Sequence, residues 1–208
     1  MMGAPRARMS IHALKPEFQA LLRPLAGALA RAGVTANQVT LATAVVSVAL
    51  GASVAWGLPD TRAFLLIPLW MFVRMALNAI DGMLAREFGQ QSRLGAYLNE
   101  LTDALSDAAL YLPFALLPPF SPLWTGMVIV LAVASEYAGA LGPLVGASRR
   151  YEGPMGKSDR AIAFGALGLW AGLHAPLPDV AALVMPALAA ALVVTIVNRV
   201  RGGLREVP

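Results

Sequence analysis

Apolar segments long enough to cross a lipid bilayer recur along this chain and restrict its fold more than any other feature. They run over residues 38–58, 62–84, 94–118, 122–146, 160–176 and 179–198. A helix needs about 20 apolar residues to cross the hydrocarbon core, and most of the six segments reach that length. A chain of 208 residues that is 58% hydrophobic is too short to bury all its apolar residues in the core of a water-soluble protein. We therefore predict an all-α integral membrane protein with six transmembrane helices.

The segment before these spans has a different pattern. Over residues 10–32, apolar side chains recur at helical spacing, with Lys15, Arg23 and Arg31 between them. This pattern predicts a juxtamembrane amphipathic helix on the membrane surface, although an amphipathic helix packed on protein fits it equally well. We predict a single domain over 1–208, with a cytoplasmic amphipathic segment at 1–34 and a six-helix bundle at 35–200.

The basic residues indicate how the chain is oriented. Fourteen Lys and Arg residues lie on one side of the predicted spans, whereas only Arg62 lies on the other and Arg74 lies inside a span. The side rich in basic residues faces the cytoplasm, so both termini are predicted to be cytoplasmic. We expect a multi-pass protein of the cell (inner) membrane. The basic residues form short clusters and no extended patch, so we predict no nucleic-acid partner.

Carboxylate and amide side chains collect at the facing ends of the second and third spans. They are Asn78, Asp81, Asn99, Glu100, Asp103 and Asp107. Within each span the main members are three or four residues apart, so they lie on one helix face. We expect two adjacent antiparallel helices that turn these faces toward each other near the cytoplasmic side. Such oxygens suit hard divalent cations.

The spacing of these residues is specific. It reads Asn78-x2-Asp81-Gly82-x2-Ala85-Arg86-x8-Gly95-x3-Asn99-x3-Asp103. This pattern closely resembles the signature of the CDP-alcohol phosphotransferase (CDP-alcohol phosphatidyltransferase) family. The segment at 35–40, before the first span, and the basic loop at 156–158 also resemble that family, so the likeness covers most of the chain.

The resemblance implies an enzyme of phospholipid biosynthesis. Members have six transmembrane helices, usually form homodimers and transfer a substituted phosphate from a CDP-linked donor to an alcohol acceptor, with release of CMP. The donor is commonly CDP-diacylglycerol. A divalent metal, Mg²⁺ or Mn²⁺, as one or two ions, is expected between the second and third helices. Asp103 occupies the position of the base that deprotonates the acceptor.

The resemblance also assigns roles to other positions. The expected metal ligands are Asp81, Asp103, Asn78 and Asn99. The expected nucleotide-binding residues are Gly82, Ala85, Arg86, Gly95, Asn37 and Thr40. The basic residues near the site are Arg149, Arg150, Lys157 and Arg160. They either hold an acceptor or lipid phosphate or serve only as positive-inside topology residues.

The chain departs from the family pattern at Asn78 and Asn99, where the family has acidic residues. An amide oxygen can bind Mg²⁺ but brings no charge, so a two-metal site would be weakened. Three interpretations stay open: a single metal ion, compensation by Glu100 or Asp107, or a degenerate member that binds nucleotide or lipid without turnover. We favour an active enzyme because the other motif positions are retained.

Charged residues inside the predicted spans could stabilise helix packing or indicate a membrane transporter. Arg74 and Glu136 are expected to pair with each other and to fix helix packing. Buried charges also suit a small membrane transporter. The acidic residues, however, cluster near the cytoplasmic end and do not line a path through the membrane, and the motif spacing has no role in a pore.

Overall fold

The chain folds into α-helices joined by short turns, and the computed structural model describes residues 11–207, with side chains from residue 17 onward. The helices are α1 Ile11–Arg31, α2 Ala36–Trp56, α3 Leu66–Glu87, α4 Arg93–Tyr111, α5 Pro122–Ala140, α6 Lys157–His174 and α7 Val184–Glu206. Short 3₁₀ turns lie at Thr61–Leu65, Leu112–Leu116, Gly142–Val145 and Asp179–Leu183. No strand occurs between residues 11 and 207.

Each predicted span coincides with one helix, and the amphipathic segment coincides with α1. Four helices are long and apolar enough to cross a membrane: α2, α5, and α3 and α7 with the 3₁₀ turns before them. Helices α4 and α6 fall short of that standard because they carry several charged side chains. The structure therefore confirms an all-helical protein with several membrane-spanning helices.

Local side-chain caps explain where the helices begin. At the start of α2, Thr35 accepts a hydrogen bond from the Gln38 amide while the Gln38 side chain accepts one from the Thr35 amide. At the start of α4, Ser92 accepts a bond from the amide of Gly95. These contacts satisfy amides that lack partners within the helix. The caps set where the polar residues of α2 and α4 stand.

Two apolar clusters hold the bundle together. The larger one includes Phe64, Tyr111, Phe114 and Phe164, with the rings of Tyr111 and Phe164 stacked 3.6 Å apart. The smaller one joins α1, α2 and α3 around Ala26, Val39, Ile80, Met83 and Leu84. Because α3 carries Met71 in the first cluster and Ile80 in the second, the residues between them occupy a layer between two apolar regions.

Close helix packing depends on small residues. A Cβ atom added to Gly51 on α2 would lie 2.2 Å from the carbonyl oxygen of Ala109 on α4. One added to Gly168 on α6 would lie 2.9 Å from the carbonyl oxygen of Phe64. Glycine therefore lets these backbones approach each other, as in other membrane helix pairs.

We predict that Gly51→Ala destabilises the protein. The new methyl group meets the α4 backbone, which cannot rotate aside, and overpacking of this kind costs about 1–3 kcal/mol. The measurement is thermal unfolding in detergent. Gly126→Ala on α5 is the matched control, because a Cβ there meets nothing within 4 Å. Equal melting temperatures for the two variants would contradict the close contact between α2 and α4.

Candidate active site

Charged side chains from several helices meet between the two apolar clusters. We call this set the polar layer; its members are Arg74, Asp81, Asp103, Asp107, Glu136, Lys157, Arg160 and Arg199. It contains four cations and four carboxylates, contributed by α3, α4, α5, α6 and α7. A charge leaves water at a large cost, so mutual pairing is the condition under which these groups can be buried.

Asp107 lies at the centre of the polar layer. Its Oδ1 accepts a hydrogen bond from Arg74 Nη1 at 2.5 Å, and its Oδ2 accepts one from Arg160 Nη2 at 3.0 Å. Its side chain is 8% exposed, while those of the two arginines are 6% and 2% exposed. Charge-assisted contacts of this kind are strong, and breaking one leaves an uncompensated buried ion. Asp107 thus joins α3, α4 and α6.

Glu136 on α5 collects a second group of arginines. Its Oε1 lies 3.0 Å from Arg160 Nη1 and 3.4 Å from Arg199 Nη1, and its Oε2 lies 3.8 Å from Arg149 Nη2. The expected pair between Arg74 and Glu136 is therefore wrong. Arg74 instead binds acids of α4, because the Arg160 guanidinium bridges Asp107 and Glu136 and provides the cation that Glu136 requires.

Asp103, the predicted base, is held on both oxygens. Its Oδ1 accepts hydrogen bonds from Arg74 Nη2 at 3.1 Å and from Asn78 Nδ2 at 3.2 Å. Its Oδ2 accepts one from the ammonium group of Lys157. The side chain is 20% exposed, so Asp103 lies at the edge of the polar layer and is reachable from solvent.

Asp81 has a different environment. It is buried on α3, its Oδ2 accepts a hydrogen bond from the Thr40 hydroxyl at 2.9 Å, and no basic side chain in the described residues forms a salt bridge with it. Asn78 stands one turn earlier on the same face and reaches Asp103. The structure therefore brings Asp81, Asn78 and Asp103 together, as the motif spacing predicts.

Four of the proposed nucleotide-binding residues form two close pairs, Arg86 with Gly82 and Asn37 with Gly95. The guanidinium of Arg86 lies across Gly82, where an added Cβ would be 2.6 Å from Nη2. Asn37 lies against Gly95 in the same way, at 2.7 Å from an added Cβ. Arg86 is exposed and forms no salt bridge within residues 17–207. Among the remaining members of the set, Thr40 contacts Asp81, and Ala85 packs against the smaller apolar cluster.

The two motif helices face each other across a gap. Helix α2 packs against both α3 and α4, whereas α3 and α4 make almost no backbone contact with one another. Side chains nevertheless connect α3 directly to α4, so the expected facing of their polar surfaces is present although the two backbones do not pack closely. Long side chains such as Arg74 span the distance.

The loop residues predicted to bind phosphate are engaged with carboxylates. Arg149 pairs with Glu100, and this hydrogen bond raises the pKa of the Arg149 guanidinium. Arg150 pairs with Glu152 and Glu206. In the same way, Lys157 and Arg160 are paired within the polar layer. These contacts anchor the α5–α6 loop against α4 and α7.

The acidic residues near the motif differ in whether a basic side chain already contacts them. No group of three or more His, Cys, Asp or Glu side chains within the described residues is arranged to hold a metal ion. Glu100 and Asp107, proposed as compensating acids, are occupied by arginines. Asp81 is a buried carboxyl group without a salt-bridge partner among the described residues, and it accepts a hydrogen bond from the Thr40 hydroxyl. Such a group is stable either in its protonated form or with a cation bound to it.

Sequence reasoning missed the role of Arg199. It lies directly after the last apolar segment, where the positive-inside rule already accounts for an arginine. In the structure its side chain is 2% exposed and contacts both Glu136 and the carbonyl oxygen of Ser135, at 2.5 Å. Only its burial identifies it as part of the polar layer, so no local signal distinguishes it from a topology residue.

Comparisons with known proteins agree with this geometry. Residues 33–197 match the family described as CDP-alcohol phosphatidyltransferase. The inner membrane protein YnbA of Escherichia coli is 45% identical over 166 residues, which cover 80% of this chain and 82% of YnbA. A phosphatidylinositol phosphate synthase of Streptomyces avermitilis is 30% identical over 209 residues, which cover 91% of this chain and 80% of that enzyme.

Solved structures share the fold. Mycobacterium tuberculosis phosphatidylinositol phosphate synthase with CDP-DAG bound matches with a TM-score of 0.71 and 26% identity, over 86% of this chain and 92% of that one. A second structure of the same enzyme, in complex with manganese and citrate, matches with a TM-score of 0.72 and 24% identity, over 87% and 88% of the two chains.

We predict that Asp107→Asn destabilises the protein by about 3–5 kcal/mol, because it removes the charge that neutralises both Arg74 and Arg160. Unfolding in detergent measures the effect. Glu87→Gln is the control: it also removes one carboxylate charge, but its pair with Arg23 is exposed to solvent and contributes little. If both variants unfold at the same temperature as the parent protein, Asp107 does not hold the polar layer in place.

Proposed function

The chain belongs to the CDP-alcohol phosphatidyltransferase family, and on that basis we propose that it is an enzyme of phospholipid biosynthesis. It transfers a phosphatidyl group from a CDP-linked donor, CDP-diacylglycerol, to an alcohol acceptor and releases CMP. The observation that carries the proposal is the facing pair of Asp81 and Asp103 between α3 and α4, within a motif of matching spacing. Close relatives by sequence and structure act as synthases of this kind.

The chemistry is a displacement at phosphorus. The acceptor oxygen attacks the phosphorus that bears the diacylglycerol and forms a new P–O bond. The bond from that phosphorus to the bridging oxygen breaks, and CMP leaves with the bridging oxygen. The acceptor proton passes to a base, and Asp103 is the carboxylate best placed to accept it, because it lies at the solvent-reachable edge of the polar layer.

The remaining motif residues bind the nucleotide in this proposal. The exposed fork of Arg86 suits a phosphate oxygen pair, and Gly82 leaves space for that side chain. Asn37 and Gly95 belong to the same nucleotide-binding site in this proposal. The cation, Mg²⁺ or Mn²⁺, would be held by Asp81 with oxygens from Asn78 and Asn99, and would neutralise charge on the pyrophosphate.

We also propose that α4 and α6 cross the membrane, which completes six transmembrane helices. Asp103 and Asp107 of α4 and Lys157 and Arg160 of α6 belong to the polar layer, while Leu101 and Leu105 of α4 are exposed. Charges inside and leucines outside suit a helix surrounded by lipid. The positive-inside rule then places both termini in the cytoplasm, with α1 at the membrane surface. A homodimer stays a prediction from the family.

We predict that Asp103→Asn lowers CMP release roughly 10²–10⁴-fold while the protein still binds CDP in the presence of Mn²⁺, because a general base acts in the transition state. Asp81→Asn should abolish turnover and also weaken CDP binding. The assay supplies CDP-diacylglycerol to purified protein with a panel of alcohols: serine, glycerol phosphate and inositol phosphate. Arg93→Met, an exposed change, is the control. CMP release by Asp103→Asn at the parent rate would contradict the role of Asp103.

The orientation has its own test. We expect a reporter that is active only outside the cytoplasm to stay inactive when fused after residue 208, because the basic residues fix that end on the cytoplasmic side. The same reporter fused after Phe120, between α4 and α5, should be active. The opposite pattern would invert the topology, and activity at both sites would mean that the number of spans is wrong.

A further inference from the structure

Two acidic residues of the motif stand in opposite electrostatic situations. Asp81 is 6% exposed and has a hydroxyl as its hydrogen-bond partner, whereas Asp103 has a cation on each oxygen. A buried carboxylate that no cation contacts is free to serve as a ligand for an added cation. A carboxylate that is already neutralised by an ammonium and a guanidinium does not.

The amide of Asn78 explains how Asp103 can remain in that state. Its Nδ2 donates to Asp103 Oδ1 at 3.2 Å. A carboxylate at position 78 would place two negative oxygens at that distance, and they would repel each other unless a proton or a second cation lay between them. The amide removes that requirement, because it donates a hydrogen bond where a carboxylate would repel.

Resting on the function proposed above, we propose that this site holds a single divalent cation, at Asp81, and that the ammonium group of Lys157 supplies the second positive charge, at Asp103. Lys157 is suited to this role because it begins α6, where the anchored α5–α6 loop fixes its position against α4. Its side chain is 38% exposed, so it can shift when a ligand enters.

The charge balance of the polar layer affects how tightly a cation binds there. With Lys157 in place, four cations offset four carboxylates, so the layer is neutral without any metal ion. A divalent cation alone adds charge to a neutral region and also meets the field of Lys157. The pyrophosphate of a CDP-linked donor brings the compensating negative charge. Cation and nucleotide therefore bind with positive coupling.

The test is a Mn²⁺ titration of the detergent-purified protein, with free Mn²⁺ measured by electron paramagnetic resonance, with and without CDP. We expect one Mn²⁺ per chain with CDP and much weaker binding without it. Lys157→Met should bind Mn²⁺ without CDP roughly tenfold more tightly, because the opposing charge is gone. Asn78→Asp, which adds a carboxylate beside Asp103, should also bind it more tightly, and Asp81→Asn should lose the site.

Arg93→Met is the matched control, since it removes one exposed positive charge at the start of α4 and should leave Mn²⁺ affinity unchanged. Two Mn²⁺ ions per chain in the parent protein would overturn the proposal, as would unchanged affinity in both Lys157→Met and Asn78→Asp. Measurement of CMP release by the same preparations distinguishes a failure of the single-cation proposal from a failure of the proposed transferase function. Release together with two bound ions leaves the transferase standing and rejects the single cation, whereas one bound ion without release rejects the transferase.

Discussion

The burial of charge between two apolar clusters is the constraint on which this structure depends. Asp107 and Glu136 lie on different helices, and Arg160 connects them by reaching both. Because none of these groups can return to water without separating helices, their pairing fixes how α4, α5 and α6 stand relative to each other. The apolar faces of the helices then pack against lipid or against each other. Glycine contacts such as that of Gly51 let the helix backbones approach closely.

The same layer supplies the chemistry proposed for the site. One side of it is fully paired and structural, while the side toward α2 keeps Asp81 without a counter-ion and Asp103 at a reachable edge. A transferase that works on a charged nucleotide headgroup and a lipid tail needs such an arrangement, because the headgroup must find polar partners at a depth where its acyl chains remain in the bilayer.

Much of the candidate site could be predicted from the sequence, because helical spacing alone places Asn78 with Asp81 and Asp103 with Asp107 on single faces. The partners of those faces could not be predicted. Arg74 was expected to meet Glu136 and instead meets the acids of α4, and Glu100 proved to be held by Arg149. Spacing along one helix carries no information about which neighbouring helix turns a cation toward it.

The sequence by itself determined the helical class, the position of every helix and the motif that names the family, because each depends on residues close together in the chain. Only the tertiary structure decided the pairing of charges. Asp107 and Arg160 lie 53 residues apart, and Ser135 and Arg199 lie 64 apart, so their contacts exist only once five helices have packed. The physical reason is that a buried ion takes the partner that three-dimensional packing brings nearest, and local sequence cannot specify that neighbour.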